Sequence, residues 1–351
     1  MIVPLSRLGL VGVMLCLSLP LHANQADPTL IEQGKYVAQL GDCIACHTAK
    51  QGAPMAGGLE LSTPMGTIYS SNITPDCDTG IGQYTFEQFD RVMREGVTQA
   101  GQNLYPAMPY PSYAKMSEGD MRALFAYLMQ GVEPVNKPNL DAEMGFPFNP
   151  RWGLALWNFA FLDTQAFVPD PAKDEVLNRG AYLVQGLGHC GSCQTPRGIA
   201  FQEKALSEEG SSGQHYLAGE TVEHWRALSL RNLWTVEDTV QLLKTGQNRF
   251  ATVAGNMADV IHHSTQHFSD DDLTAIASYL KSLPPGKDDL PMPSVALAPA
   301  TPPADLFPSR CGLGYMQFYS DCPRPPGSRV KGLFPPPAAP PSIPARHPTS
   351  L

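Results

Sequence analysis

The stretch Gly34-Lys-Tyr-Val-Ala-Gln-Leu-Gly-Asp-Cys43-Ile-Ala-Cys46-His47-Thr48 returns later in the chain as Gly180-Ala-Tyr-Leu-Val-Gln-Gly-Leu-Gly-His-Cys190-Gly-Ser-Cys193-Gln194-Thr195. Two further blocks repeat in the same order. Tyr84-Thr-Phe-Glu87 leading to Gly96 matches Trp234-Thr-Val-Glu237 leading to Gly246. Ser117, Asp120, Ala123, Tyr127 and Leu128 match Ser269, Asp272, Ala275, Tyr279 and Leu280 at identical spacing. Self-similarity of this length means that the chain holds two copies of one unit. The local signals within each copy are helical. Ser117 and Ser269 each have an acidic residue three places on, the pattern of a capping box at a helix start. Met121, Leu124, Phe125 and Leu128 then follow at three- and four-residue spacing, as do Leu273, Ile276, Ala277 and Leu280. Thr85 and Thr235 are placed to cap middle helices. Long alternating strand patterns are absent, so the expected fold class is all-α, with one helical domain of about 100 residues per copy.

Outward from the repeats, the chain of 351 residues has room for two such domains and additional segments. A formal charge of -9 excludes a generally basic nucleic-acid binder, so no nucleic-acid partner is expected. Residues 1–23 read as a secretory signal, with Arg7 in a positive n-region and an apolar run over residues 8–19. Leu21 is large for the −3 position of a cleavage site, and a retained N-terminal anchor is the alternative reading. The first copy then occupies residues 24–135 and the second 172–285. Between them, residues 136–171 form a connector rich in aromatic side chains, expected to pack between the domains. Residues 286–351 are a Pro-rich tail expected to be disordered. About half of the chain's 34 prolines fall after Leu283.

Eight cysteines are too few and too unevenly placed for a disulfide scaffold, and four of them form the two C-x-x-C pairs. Cys43-Ile-Ala-Cys46-His47 is the attachment signature of a c-type haem. Two cysteines three apart at a helix start can each add to one vinyl group, and the adjacent histidine then lies beneath the iron. Zinc uses the same residue types, but a structural zinc site needs a second ligand pair that this copy lacks. Methionine is the common partner of histidine in cytochromes c. Met108 is the preferred distal ligand, because Tyr105-Pro-Ala-Met108-Pro109 is a proline-braced loop, and Met116 is the runner-up. Met93 and Met121 fit helix-face core positions.

With these motifs in hand, residues 34–283 resemble the multihaem cytochrome c subunit of membrane-bound alcohol, aldehyde and gluconate dehydrogenases. The resemblance rests on Cys43-Ile-Ala-Cys46-His47, Thr63-Pro-Met-Gly-Thr67, Ser71-Asn-Ile-Thr-Pro75, Thr79-Gly-Ile-Gly82, Met93-Arg-Glu-Gly-Val97, Tyr105-Pro-Ala-Met-Pro-Tyr110 and Phe146-Pro-Phe-Asn149. It implies two tandem cytochrome c-like domains within a three-haem, non-catalytic subunit. Such a subunit takes electrons from a dehydrogenase catalytic subunit and passes them to ubiquinone or another membrane acceptor, at the periplasmic face of the cytoplasmic membrane. It also implies that Met108 is a haem ligand.

The sequence departs from that pattern twice. Gln194 follows Cys193 where the family has histidine, and an amide is a poor iron ligand beside imidazole. Met257, in Ala254-Gly-Asn-Met257, keeps nearly the spacing of Met108 from its cysteine pair. The second site, Cys190 and Cys193 with Met257, therefore reads as an empty or abnormally loaded haem site. A third motif is missing, since the later cysteines Cys311 and Cys322 form no C-x-x-C-H. An out-of-frame stretch in the coding sequence would explain that loss. No dinucleotide fingerprint or nucleophile constellation is present, so no catalytic residue is assigned. The expected function is electron transfer. The alternative is a degenerate haem-binding protein that docks on a dehydrogenase without a working relay.

Overall fold

A computed structural model describes residues 26–222 and 225–286 of the chain. The signal segment and the Pro-rich tail beyond residue 286 lie outside the described residues.

Each copy opens with a helix that crosses its own last helix. Helix α1 (Pro28–Leu40) starts at Asp27, whose carboxylate accepts the Thr29 amide at 3.0 Å, and has proline in its first turn where no amide is needed. A short turn, α2 (Cys43–Cys46), follows. Strands β1 (Glu60–Thr63) and β2 (Gly66–Tyr69) come next, then α3 (Phe86–Glu95), α4 (Tyr110–Tyr113) and α5 (Glu118–Gln130). The connector contributes β3 (Glu143–Met144) and α6 (Trp152–Phe161). The second copy runs through α7 (Glu175–Tyr182), a π-helical turn (Leu183–Leu187), α8 (Gly191–Gln194), β4 (Glu220–Val222), β5 (Trp225–Ala227), α9 (Val236–Thr245), α10 (Asn256–His263) and α11 (Asp270–Ser282).

The four expected caps form. Thr85 makes a full capping box with Gln88, and Thr235 accepts the Asp238 amide at 3.2 Å. Ser117 and Ser269 accept the Asp120 and Asp272 amides, each at 3.1 Å. Helices α1 and α5 touch backbone to backbone at Gly34, where a Cβ would stand 1.8 Å from the Ala123 carbonyl oxygen. Gly180 does the same between α7 and α11, 2.1 Å from that of Ala275. The repeated glycine is thus the residue that lets the two terminal helices cross closely. Gly34 precedes Cys43 by nine residues and Gly180 precedes Cys190 by ten. The π-helical turn (Leu183–Leu187) absorbs the extra residue, so both cysteine pairs follow their helix crossing in the same way.

The fold is not all-α. Strands β1, β2 and β3 form a three-stranded antiparallel sheet, and β4 and β5 pair antiparallel in the second copy. These strands are two to four residues long, too short for an alternating pattern to show in the sequence. Thr63-Pro-Met-Gly forms the β1–β2 turn, with the Thr63 hydroxyl donating to the Gly66 carbonyl at 2.7 Å. Strand β3 is supplied by the connector, across a long stretch of chain, through Gly66–Met144 and Thr67–Glu143 pairing.

One buried apolar cluster runs through both copies, including Val37, Leu40, Met121 and Leu124 from the first and Leu183, Leu187, Leu273 and Leu280 from the second. The polar contacts between the copies are reciprocal. Tyr36 donates to Asp272 at 2.7 Å and accepts the Ser269 amide at 3.0 Å. Tyr182 donates to Asp120 at 2.5 Å and accepts the Ser117 amide at 3.1 Å. Equivalent residues exchange equivalent contacts, as in a two-fold symmetric interface. The two aspartates expected to complete capping boxes turn instead to the tyrosine of the other copy. Arg179 grips Asp272 in bidentate fashion at 2.7 and 2.9 Å, whereas Gln33, at the matching place, reaches Asp120 at only 3.4 Å. Burial opposes ionisation of Asp272, but its bonds to Arg179 and Tyr36 win and hold the carboxyl below its usual range. Tyr36→Phe and Tyr182→Phe should each lower stability by about 1–2 kcal/mol. Tyr182→Phe should be the more severe, because no arginine is hydrogen-bonded to Asp120 as Arg179 is to Asp272. Denaturant midpoints measure both, and an unchanged midpoint in either variant would show that the pair is incidental.

The connector reaches both copies: the Trp157 ring meets that of Tyr110 edge-on, and Asn158 accepts the Tyr110 hydroxyl at 2.7 Å. Trp157 turns inward, donating to the Ala200 carbonyl at 2.9 Å, and Phe167 stacks on Tyr182. Helix α6 nevertheless has no buried residue, and Phe146, Trp152, Leu156 and Phe159 are exposed.

Candidate haem sites

Helix α1 ends at Gly41, and Asp42 takes a left-handed conformation (φ 50°) that turns the chain into α2. This one turn carries Cys43 and Cys46, and His47 closes it by donating its amide to the Cys43 carbonyl at 2.9 Å. The loop beyond folds back on the motif. Gly57 donates to the His47 carbonyl at 2.8 Å, and the Met55 amide reaches the Thr48 hydroxyl at 3.2 Å. The His47 ring lies with Nδ1 2.7 Å from the Ser71 carbonyl oxygen. A carbonyl only accepts, so Nδ1 carries the proton and the Nε2 lone pair is left for a metal. Burial holds the imidazole below its usual pKa, against the opposing pull of the Ser71 bond. A ligating histidine typically has its other nitrogen held in this way.

This arrangement fits a c-type haem, which asks of the protein two thioether sulfurs and axial ligands. It does not fit zinc. Among the described residues no three His, Cys, Asp or Glu side chains converge as metal ligands, short of the closed four-ligand set of a structural zinc site. Met108 lies half-buried in a non-helical loop just before α4, against the apolar cluster. Met116, Met93 and Met121 are core residues, with Met116 and Met121 wholly enclosed.

The second copy keeps the scaffold. Gly219 donates to the Gln194 carbonyl at 2.7 Å and the Leu217 amide reaches the Thr195 hydroxyl at 3.0 Å, matching Gly57 and Met55. Leu217, like Met55, has a positive φ, 53° against 62°. Gln194 therefore stands where His47 stands. Its side-chain oxygen is buried with no hydrogen-bond partner, as is the indole nitrogen of Trp234. An orphaned buried oxygen of this kind costs about 1–3 kcal/mol. Cys190 is buried enough to push its thiol up to about 12, and Cys193 is exposed. Met257 is not in an extended loop: it lies in the first turn of α10. His189, in the left-handed conformation before Cys190, packs its ring edge-on against Tyr113 of the first copy and is no substitute ligand. The first set of residues fits the haem, and the second does not.

A family model described as Cytochrome c matches residues 31–131. The gluconate 2-dehydrogenase cytochrome c subunit of Pantoea cypripedii is 51% identical over 270 residues, which cover 74% of this chain and 61% of that protein. The alcohol dehydrogenase (quinone) cytochrome c subunit of Komagataeibacter europaeus is 45% identical over 345 residues, covering 93% of this chain and 72% of that protein. This chain belongs to the family of dehydrogenase cytochrome c subunits. Electron transfer by a c-type cytochrome is the activity that membership carries, and haem c is its cofactor. A diheme cytochrome c-type protein of Cereibacter sphaeroides, 33% identical over 275 residues, is covered to 90% of its length. The chain thus spans 61% of the gluconate relative and nearly all of the diheme one. No helix among the described residues is long and apolar enough to cross a membrane.

Sequence reasoning identified Cys43, Cys46, His47 and Gln194 from side-chain type and spacing. It missed the Ser71 carbonyl that orients His47, although Ser71-Asn-Ile-Thr-Pro75 stood out as a motif. A backbone oxygen has no residue type by which to announce itself.

Proposed function

We propose that this chain carries electrons through one haem, attached to Cys43 and Cys46 and ligated by His47 and Met108, from a dehydrogenase of the alcohol, aldehyde or gluconate type towards ubiquinone or another membrane acceptor. The observation that carries the reading is the His47 Nδ1–Ser71 bond, which presents a neutral imidazole beside two cysteines at haem-attachment spacing. The haem supplies one-electron chemistry at its iron. The protein attaches it and orients the imidazole. The working division is a cytochrome c-like domain over residues 24–135 and a second over 172–285, in the periplasm and peripheral on the cytoplasmic membrane. The second site, Cys190, Cys193 and Met257, is empty or abnormally loaded.

Haem quantitation as the pyridine haemochrome should give about one haem per chain. Met108→Ala should abolish the methionine–iron band at the red end of the visible spectrum, and Met116→Ala should leave it. The reverse result would reassign the distal ligand. The orphaned Gln194 oxygen favours a second reading, a haem-binding docking protein whose relay is interrupted. Rapid reduction of this chain by a cognate dehydrogenase and onward transfer to a quinone would exclude it.

A further inference from the structure

Behind the Ser71 carbonyl lies a side chain that no part of the reading above has used. Asn72 is only 2% exposed, and its side-chain amide and backbone N–H are all engaged. Its side-chain oxygen accepts from the Thr74 amide at 3.0 Å and hydroxyl at 2.7 Å. Its side-chain nitrogen donates to the Val135 carbonyl at 2.8 Å, the Thr79 hydroxyl at 3.1 Å and the Lys137 carbonyl at 3.3 Å. Its own amide donates to the Asn139 side chain at 2.6 Å. Residues 135–139 are thereby drawn as a strap across the loop that ends in Ser71. The same strap grips the other side of His47: Lys137 Nζ donates to the Gly57 carbonyl at 2.7 Å, and Gly57 donates to that of His47. The strap lies beyond residue 131, where the match to the cytochrome c family model ends.

The second copy provides an internal comparison. The Leu230 amide bonds to the Leu217 carbonyl as Ile73 does to Met55, so Ser229 occupies the place of Asn72. It accepts the Arg231 amide at 3.3 Å, as Asn72 accepts that of Thr74, but a single hydroxyl cannot tie a strap, and the segment after α11 is held instead by Arg231, whose Nε donates to the Pro284 carbonyl at 2.8 Å. The copy that lacks the imidazole also lacks the asparagine.

We infer that Asn72 is a positioning residue for the haem: through the strap it fixes the Ser71 carbonyl against His47 Nδ1 and so sets the basicity of the proximal imidazole. This rests on the haem reading above. A firmly held Nδ1–H···O bond makes the imidazole a stronger donor and favours the ferric iron. Loosening it should favour reduction.

The test is the midpoint potential of the haem-loaded chain. Asn72→Ser, which installs what the second copy has, should shift the reduction equilibrium towards the ferrous form by about tenfold, or 59 mV for one electron. Haem content and the methionine–iron band should be retained. Asn139→Ala removes the strap's hold from its exposed side and should produce a smaller shift of the same sign, which serves if Asn72→Ser fails to load. An unchanged potential in the loaded variants would overturn the role of Asn72 while leaving the haem assignment intact. Absence of covalent haem from the parent chain would remove the haem reading and this inference together.

Discussion

Gln194→His is expected to raise covalent haem content by about one per chain when the protein is exported with haem-attachment machinery. Two cysteines at haem-attachment spacing are already present, and the loop around them keeps the hydrogen bonds of the first site, Gly219 to residue 194 and Leu217 to Thr195. The missing element is an imidazole. The structure separates this from the distal question. Met257 is in the first turn of α10 instead of a proline-braced loop, so its ligation of iron is a separate question from the presence of an imidazole. The haem count therefore reports on position 194, and the spin state of the added haem reports on Met257. Comparing Gln194→His with the double variant that also carries Met257→Ala distinguishes the two. An unchanged count would show that the second pocket has decayed beyond its ligand. A parent chain already holding two haems would show that two cysteines suffice without the imidazole.

Gly180→Val and Gly34→Val should each destabilise the chain by about 3 kcal/mol or more, because the atoms in the way are backbone and cannot rotate aside. At Gly180 a Cβ would meet the Ala275 carbonyl at 2.1 Å and the Tyr279 Cβ at 2.6 Å. Relief requires α7 and α11 to part, which would loosen Leu273, Ile276 and Tyr279, all members of the buried cluster. Gly153 in α6 is the control. Nothing lies within 4 Å of a Cβ there, and Gly153→Ala should be neutral or stabilise by up to about 1 kcal/mol through helix propensity. Thermal and denaturant midpoints measure all three. A tolerated valine at Gly180 would mean that the helix crossing is not the constraint it is taken to be.

The parts of this molecule that were legible beforehand are those written in local chemistry. Helix starts were readable because Ser117, Ser269, Thr85 and Thr235 cap the turn that follows them in the chain. The candidate haem site was readable because two cysteines and a histidine that share one helical turn have their spacing fixed by it. The defect at position 194 was readable for the same reason. What the same side chain does once the loop is closed was not readable: only the fold buries the Gln194 oxygen and leaves it unpartnered.

Tertiary structure alone decided the features that join distant segments. Strand β3 exists because the connector returns to β2, and with two residues it could carry no pattern of its own. Asp120 and Asp272 had the spacing of capping-box residues, but a tyrosine from the other copy competes for each carboxylate and wins. Helix α6 is apolar enough to suggest a core helix, and apolarity cannot say whether a partner face is available within the chain. Residue type and spacing thus determined the repeat, the caps and the Cys43–His47 motif, since these features close within a few residues. The sheet, the reciprocal lock and the carbonyl behind His47 were decided by the fold, because a backbone oxygen or a carboxylate is offered to whatever donor the completed chain brings within reach.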